Sequence, residues 1–183
     1  DVHDHEAVFE AVAGHAEFPR DLEIVNGPLD ILDHSAPRLG AGGKMGIDAT
    51  PSIPGEDIAG IPVGSPPPAD LEAVRRGLAA VTDGRRITSV DVPAWGRGRI
   101  VIAAVDSSAP GASTAAIESL LDAAEGMGEG ADIIFAVDAG IDPADHERAF
   151  FMLLANMDVL RDRHARDHRI GFDGTCKHAG WHR

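Results

Sequence analysis

The chain has 183 residues, 44% of them hydrophobic, and a formal net charge of −14 at pH 7. That length and apolar content suffice to bury a sizeable core, as one domain or two small linked ones. The acidity argues against a nucleic-acid partner, which would need clustered Lys and Arg; no run approaches the roughly 18 apolar residues of a membrane span; and a lone Cys176 forms no internal disulfide, as expected of a cytoplasmic, reducing setting.

The elements follow in order. Asp1, Asp4, Val8, Phe9 and Val12 have the spacing of a capped amphipathic helix. Leu22 to Val25 reads as a short strand, and Gly27 to His34 as an ordered loop in which apolar and acidic residues alternate. Ser35 to Gly43 is turn-rich, and Pro51 to Pro68 carries six prolines, the mark of a connector. A helix is predicted from about Leu71 to Val81, strands at Ile87 to Val92 and Arg99 to Val105, a helix from Thr114 to about Gly126, and a strand at Asp132 to Val137. A last helix would be capped by Asp142, with Pro143 first, Asp145 in its first turn, and a stripe of Ala149, Phe150, Leu153 and Leu154. The predicted fold class is α/β, a mixed or largely parallel sheet with helices on its faces.

An internal duplication runs through this order. Asp1 to Asp21 aligns without gaps on Asp142 to Asp162, with identity at Asp4/Asp145, His5/His146, Glu6/Glu147, Phe9/Phe150, Arg20/Arg161 and Asp21/Asp162 among others. Each copy ends in a matching coda, Lys44-Met-Gly-Ile-Asp-Ala-Thr50 and Arg169-Ile-Gly-Phe-Asp-Gly-Thr175. The second copy follows an apolar strand and the first does not, so the chain is expected to be a fragment that begins just after a strand. The expected divisions are a truncated unit at 1–56, a Pro-rich connector at 57–68, and a second unit at 69–183 that repeats the first.

The chemical constellations have plain structural readings beside them. Gly40-Ala-Gly-Gly-Lys44 lacks the first glycine and the Ser or Thr of a phosphate loop and reads as a glycine turn, with Lys44 open to a role as a pocket cation. His164 and His168, with His178, His182 and Cys176, could be drawn as zinc ligands, but the spacings match no standard signature. Ser107 and Ser108 follow a strand without a nucleophile elbow or an assignable base. Asp48 and Asp173 recur as Gly-x-Asp-x-Thr; an Asp accepting bonds from its own turn and from the Thr hydroxyl is favoured over a catalytic carboxylate. Asp30 and Asp33 pair in the loop before them. Two lysines and no tyrosine fit either a high-salt surface or a biased genome.

Gly27-Pro-Leu-Asp-Ile-Leu-Asp-His-Ser-Ala36, followed by Gly42-Gly-Lys-Met-Gly-Ile-Asp-Ala-Thr50 and Pro54-Gly-Glu56, resembles the carboxy-terminal region of the UbiD family of decarboxylases. Ile170-Gly-Phe-Asp-Gly-Thr-Cys-Lys177 is similar to the extra segment of longer members assigned to menaquinone biosynthesis. The resemblance implies a non-oxidative carboxy-lyase of an aromatic or unsaturated acid, using prenylated FMN with a divalent metal and a monovalent cation. It also implies that this cofactor and the catalytic residues sit in a preceding domain, so that this fragment has no catalytic, cofactor or metal residues of its own. Gly27 and Leu29 would touch substrate, with Pro28, Ile31 and Lys44 as further candidates, and the whole protein would be a homo-oligomer. The alternatives are a non-catalytic α/β assembly or ligand-binding module, and an independent small-molecule enzyme.

Overall fold

The computed structural model describes residues 3–53, 55, 57–58, 61–62 and 65–177. Two apolar runs make the centre of the fold. β6 (Ile100–Val105) is buried at every position and β7 (Ile133–Asp138) at all but its last. Such unbroken runs suit parallel strands covered on both faces, and the two do pair in parallel. They belong to a mixed five-stranded sheet of order β5-β6-β7-β9-β8. β9 (Arg169–Asp173) pairs parallel to β7, whereas β5 (Ile87–Asp91) and β8 (Arg163–Arg166) close the edges antiparallel.

One face of the sheet is covered by two helices. α2 (Leu71–Ala79) is capped by the Asp70 carboxylate, which accepts from the Glu72 and Ala73 N–H groups. α3 (Ala112–Met127) buries Ser113, Ala116, Ile117, Leu120, Leu121 and Ala124, a spacing of three and four that keeps one stripe inward. The other face is covered by α1 (His5–His15), α4 (His146–Asn156) and the antiparallel hairpin of β1 (Leu22–Pro28) and β2 (Ala41–Ile47), whose Leu22, Ile24, Met45 and Ile47 pack against the core cluster that contains Ile100, Ile102, Phe135 and Phe172. Short strands β3 (Asp57–Ile58) and β4 (Ile61–Pro62) lie within the proline-rich stretch.

Arg99 fastens α1 to the sheet. Its Nε donates to Asp132 Oδ2 at 2.5 Å, and Nη1 donates to the carbonyls of Ala13 and Ala16 in the last turn of α1, at 2.7 and 3.1 Å. A buried guanidinium is tolerable there because a carboxylate and two open helix carbonyls share its charge.

The duplication is reproduced in the helix caps and in the turns that lead to the codas. Asp4 and Asp145 cap α1 and α4 through the N–H groups of Ala7 and Arg148. The caps are therefore Asp4 and Asp145, three residues later than a cap at Asp142; Asp142 instead accepts from Ala144 in the preceding turn, which leaves Pro143 outside the helix. Glu17 N–H bonds the Asp21 carboxylate and Asp158 N–H that of Asp162, each at 2.8 Å. Arg20 grips Asp21 through Nε and Nη2 as Arg161 grips Asp162. The Asp48 N–H bonds the Asp21 carbonyl and the Asp173 N–H the Asp162 carbonyl, both at 2.9 Å. The turn expected over Ser35 to Gly43 ends earlier, because Ala41 already pairs with Pro28 in β2.

Candidate functional site

All five substrate candidates lie on the β1–β2 hairpin or its connecting loop, spread along it and not gathered into one pocket among the described residues. Gly27 and Pro28 end β1 and face Gly42 and Ala41 across the ladder. Leu29 N–H donates to the Gly40 carbonyl at 2.9 Å, prolonging the ladder by one pair. The Leu29 side chain is half-buried over Gly42, where a Cβ would come within 2.6 Å of Leu29 Cδ1 and 2.5 Å of Asp158 Oδ2. Ile31 stands at the tip, 71% exposed, beside Leu32 at 75%. Lys44 is exposed and pairs with Val25.

The loop is ordered by its own carboxylates. Asp30 accepts from Leu32 N–H at 2.8 Å, and Asp33 accepts from the Ser35 hydroxyl and N–H at 2.6 and 3.0 Å. The Ser35 hydroxyl bond leads the effects that hold Asp33 below the ordinary carboxylate value. These Asx-type bonds leave the apolar tip facing solvent, a combination suited to contact with another surface or a ligand.

Gly40 to Lys44 runs into a strand rather than a helix. The ladder register directs the Gly42 and Lys44 N–H groups to β1, and Gly43 N–H donates to Asp158 Oδ2 at 2.8 Å. The N–H groups therefore diverge, and the residues do not fit a flavin phosphate.

The codas behave as turn devices. Asp48 accepts from Thr50 N–H and Oγ1 at 2.9 and 2.7 Å, and Asp173 from Thr175 N–H and Oγ1 at 2.9 and 2.6 Å. Asp173 is buried and also accepts from Ser113 Oγ at 2.8 Å, with Lys177 Nζ 3.0 Å from its Oδ1. Burial pushes its carboxyl upward, but the Lys177 charge and the Thr175 and Ser113 bonds outweigh this and hold it below the ordinary value.

A cleft of about 450 Å³ opens where the two helix starts meet, lined by His3, Asp4, His5, Glu6, Trp95, His146, Glu147 and Phe150. His146 Nε2 lies 2.9 Å from Asp91 Oδ2, and Trp95 Nε1 donates to His146 Nδ1 at 3.3 Å. An indole can only donate, so Nδ1 accepts and Nε2 carries the proton. Both ring nitrogens are engaged, which makes His146 a clamp between β5, α4 and the 3₁₀ turn Ala94–Gly96 rather than a free base. The sequence marks His146 only as the repeat partner of His5; its own partners lie 51 and 55 positions away, where no local pattern reaches.

The other constellations resolve simply. His164 sits in β8 with Nδ1 3.2 Å from Glu118 Oε1, and His168 belongs to the turn into β9. His178 and His182 lie outside the described residues. Among the described residues, no three His, Cys, Asp or Glu side chains are grouped to hold a metal ion. Ser107 Oγ donates to Asp138, with Cys176 N–H on the other carboxylate oxygen, which is a loop brace and not a nucleophile with its base. No described helix is long and apolar enough to cross a membrane.

These features define an α/β module with a mixed sheet that contains two copies of a helix-hairpin-coda unit. The chain belongs to the UbiD family: the sequence model of the 3-octaprenyl-4-hydroxybenzoate carboxy-lyase C-terminal domain matches residues 1–49 and 73–173. Among solved structures it is similar to an evolved dimeric form of the UbiD-class enzyme HmfF from Pelotomaculum thermopropionicum in complex with prFMN, at 17% identity and a TM-score of 0.49 over 59% of this chain. It is also similar to HmfF from the same organism in complex with FMN, at 17% identity and a TM-score of 0.46 over 60% of this chain. The chain spans 25% and 28% of the length of those two structures.

Proposed function

We propose that the chain is the carboxy-terminal part of a prenylated-FMN-dependent carboxy-lyase acting on an aromatic or unsaturated acid in menaquinone or ubiquinone biosynthesis, of the longer type assigned to menaquinone biosynthesis. The observation that carries this reading is the family match across both copies of the repeat. In it, residues 1–56 and 69–183 are the two units and 57–68 joins them. Prenylated FMN, its divalent metal and its monovalent cation belong to polypeptide outside these residues, and the whole protein is a cytoplasmic homo-oligomer. The hairpin supplies the substrate-facing wall through Gly27, Pro28, Leu29, Ile31 and Lys44. The exposed apolar tip on a locally braced loop supports that assignment.

The test is made on the complete protein reconstituted with prenylated FMN, by following CO₂ release from a panel of aromatic and unsaturated acids. Leu29→Ala should lower kcat/KM or shift the substrate range while moving Tm little. Loss of stability with unchanged kinetics would assign Leu29 to packing. Saturable flavin binding by the 183-residue chain alone would place the cofactor site within it and overturn the division of labour.

A further inference from the structure

The second copy of the repeat holds the hairpin of the first through one carboxylate. After α4 the chain turns at Asp158, whose side chain is 2% exposed. Its Oδ1 serves its own turn, accepting from the N–H groups of Leu160 and Arg161 at 3.0 and 3.1 Å. Oδ2 reaches a residue 115 positions away and accepts the Gly43 N–H at 2.8 Å, a group that the β1–β2 ladder does not use. Three N–H groups satisfy this buried carboxylate, so the loss of any one leaves it short.

The contact is close on both glycines. A Cβ on Gly43 would stand 2.5 Å from Val159 Cγ1 and 2.8 Å from Leu160 Cγ, and one on Gly42 would stand 2.5 Å from Asp158 Oδ2 and 2.6 Å from Leu29 Cδ1. Only the lack of side chains at 42 and 43 lets the turn seat on the strand. The Asp158 carboxylate and the Leu29 methyl therefore meet over Gly42, and the Leu29 N–H bonds the Gly40 carbonyl in the same stretch of backbone. The duplication does not generate this contact. The repeat counterparts of Asp158 and Gly43 are Glu17 and His168, and the Glu17 carboxylate is spent on Arg20.

We propose that Asp158 is a positioning residue for the substrate-facing hairpin: it fixes the Gly42–Gly43 backbone against the second unit and so sets the placement of Leu29. The inference rests on the reading of that hairpin as the substrate wall. A carboxylate suits the task because both of its oxygens accept, whereas an asparagine would turn its NH₂ group against an N–H on one side. Misplacing a substrate-contacting group by about 1 Å can cost about a hundredfold in rate.

The complete protein, reconstituted with prenylated FMN, is compared with its Asp158→Asn and Leu29→Ala variants and with the double variant. Thr175→Val serves as a variant destabilised in the same unit but away from the hairpin. Asp158→Asn should lower kcat/KM about tenfold to a hundredfold and reorder the panel of acids as Leu29→Ala does. It should add little to Leu29→Ala in the double variant, because both act through one side chain. Amide hydrogen exchange at Gly43 and Leu29 should quicken at least about tenfold, with Lys44, bonded to β1, unchanged. Thr175→Val should keep the parent's order of acids. If Asp158→Asn does not fold, Gly42→Ala takes its place, since its methyl drives the carboxylate and Leu29 apart and should give the same reordering. Exchange at Gly43 unaltered by Asp158→Asn, the parent's order of acids, or losses that add to those of Leu29→Ala would overturn the inference and leave the wall standing. Kinetics indifferent to Leu29→Ala would remove the wall itself, and the inference with it.

Discussion

Phe9 and Phe150 hold the same place in the two copies of the repeat, and they stack on each other, ring centroids 3.9 Å apart and planes 8° from parallel. The duplicated helices thus meet through a duplicated residue, with Phe135 edge-on to both and Trp95 alongside. Truncating buried Phe150 to Ala should cost about 3 to 5 kcal/mol, and Phe9→Ala less, since Phe9 is only half-buried. A double-mutant cycle in urea should return a coupling of about 0.5 to 1.5 kcal/mol. Additivity would mean that the rings are adjacent without interacting.

The two codas make the same bonds in different surroundings, so equivalent substitutions should have unequal effects. Thr175 is 1% exposed, and Thr175→Val leaves the Asp173 carboxylate short of a buried donor at a cost of about 1 to 3 kcal/mol. Thr50 is exposed, and water replaces its hydroxyl in Thr50→Val. Denaturation midpoints of the two variants decide this; equal losses would refute the role of burial.

Stability should fall in acid partly through Asp173. Its carboxyl is held below the ordinary value, so its contribution is complete above the unfolded value of about 3.9 and is lost as pH falls through the depressed native value. Asp173→Asn should therefore be clearly less stable than the parent at pH 7, with the gap narrowing below pH 4. A gap that stays constant down to pH 2 would show that the charge contributes nothing.

Gly42→Ala should destabilise and Gly46→Ala should not, although both lie in β2. A Cβ on Gly42 meets Asp158 Oδ2, Leu29 Cδ1 and Pro37 Cδ at 2.5, 2.6 and 3.2 Å, an overpacking worth about 1 to 3 kcal/mol. A Cβ on Gly46 meets nothing within 4 Å. Thermal melts of the two variants, compared with the parent, give the answer.

The elements with a strong local signal were legible in the chain itself. Ile100–Val105 and Ile133–Asp138 are apolar runs too short for helices, and the three-and-four spacing from Ser113 to Ala124 leaves no alternative to a helix. β8 was not legible. Arg-His-Ala-Arg has no apolar alternation, and it is a strand because β9 offers a ladder and because Arg166 reaches Glu118 and Asp122 on α3. The repeat carried the missing signal, since Leu22 to Val25 aligns on Arg163 to Arg166.

The sequence by itself determined the duplication, the alternation of strands and helices, and the Asp-x-Thr turns, because each rests on contacts between residues a few positions apart or on direct self-similarity. Only the tertiary structure decided that Phe9 stacks on Phe150 and that His146 engages Asp91 and Trp95 through its two ring nitrogens. Those relationships join residues tens of positions apart, and packing of the sheet against its two covering layers sets them; no spacing along the chain encodes a distance of that kind.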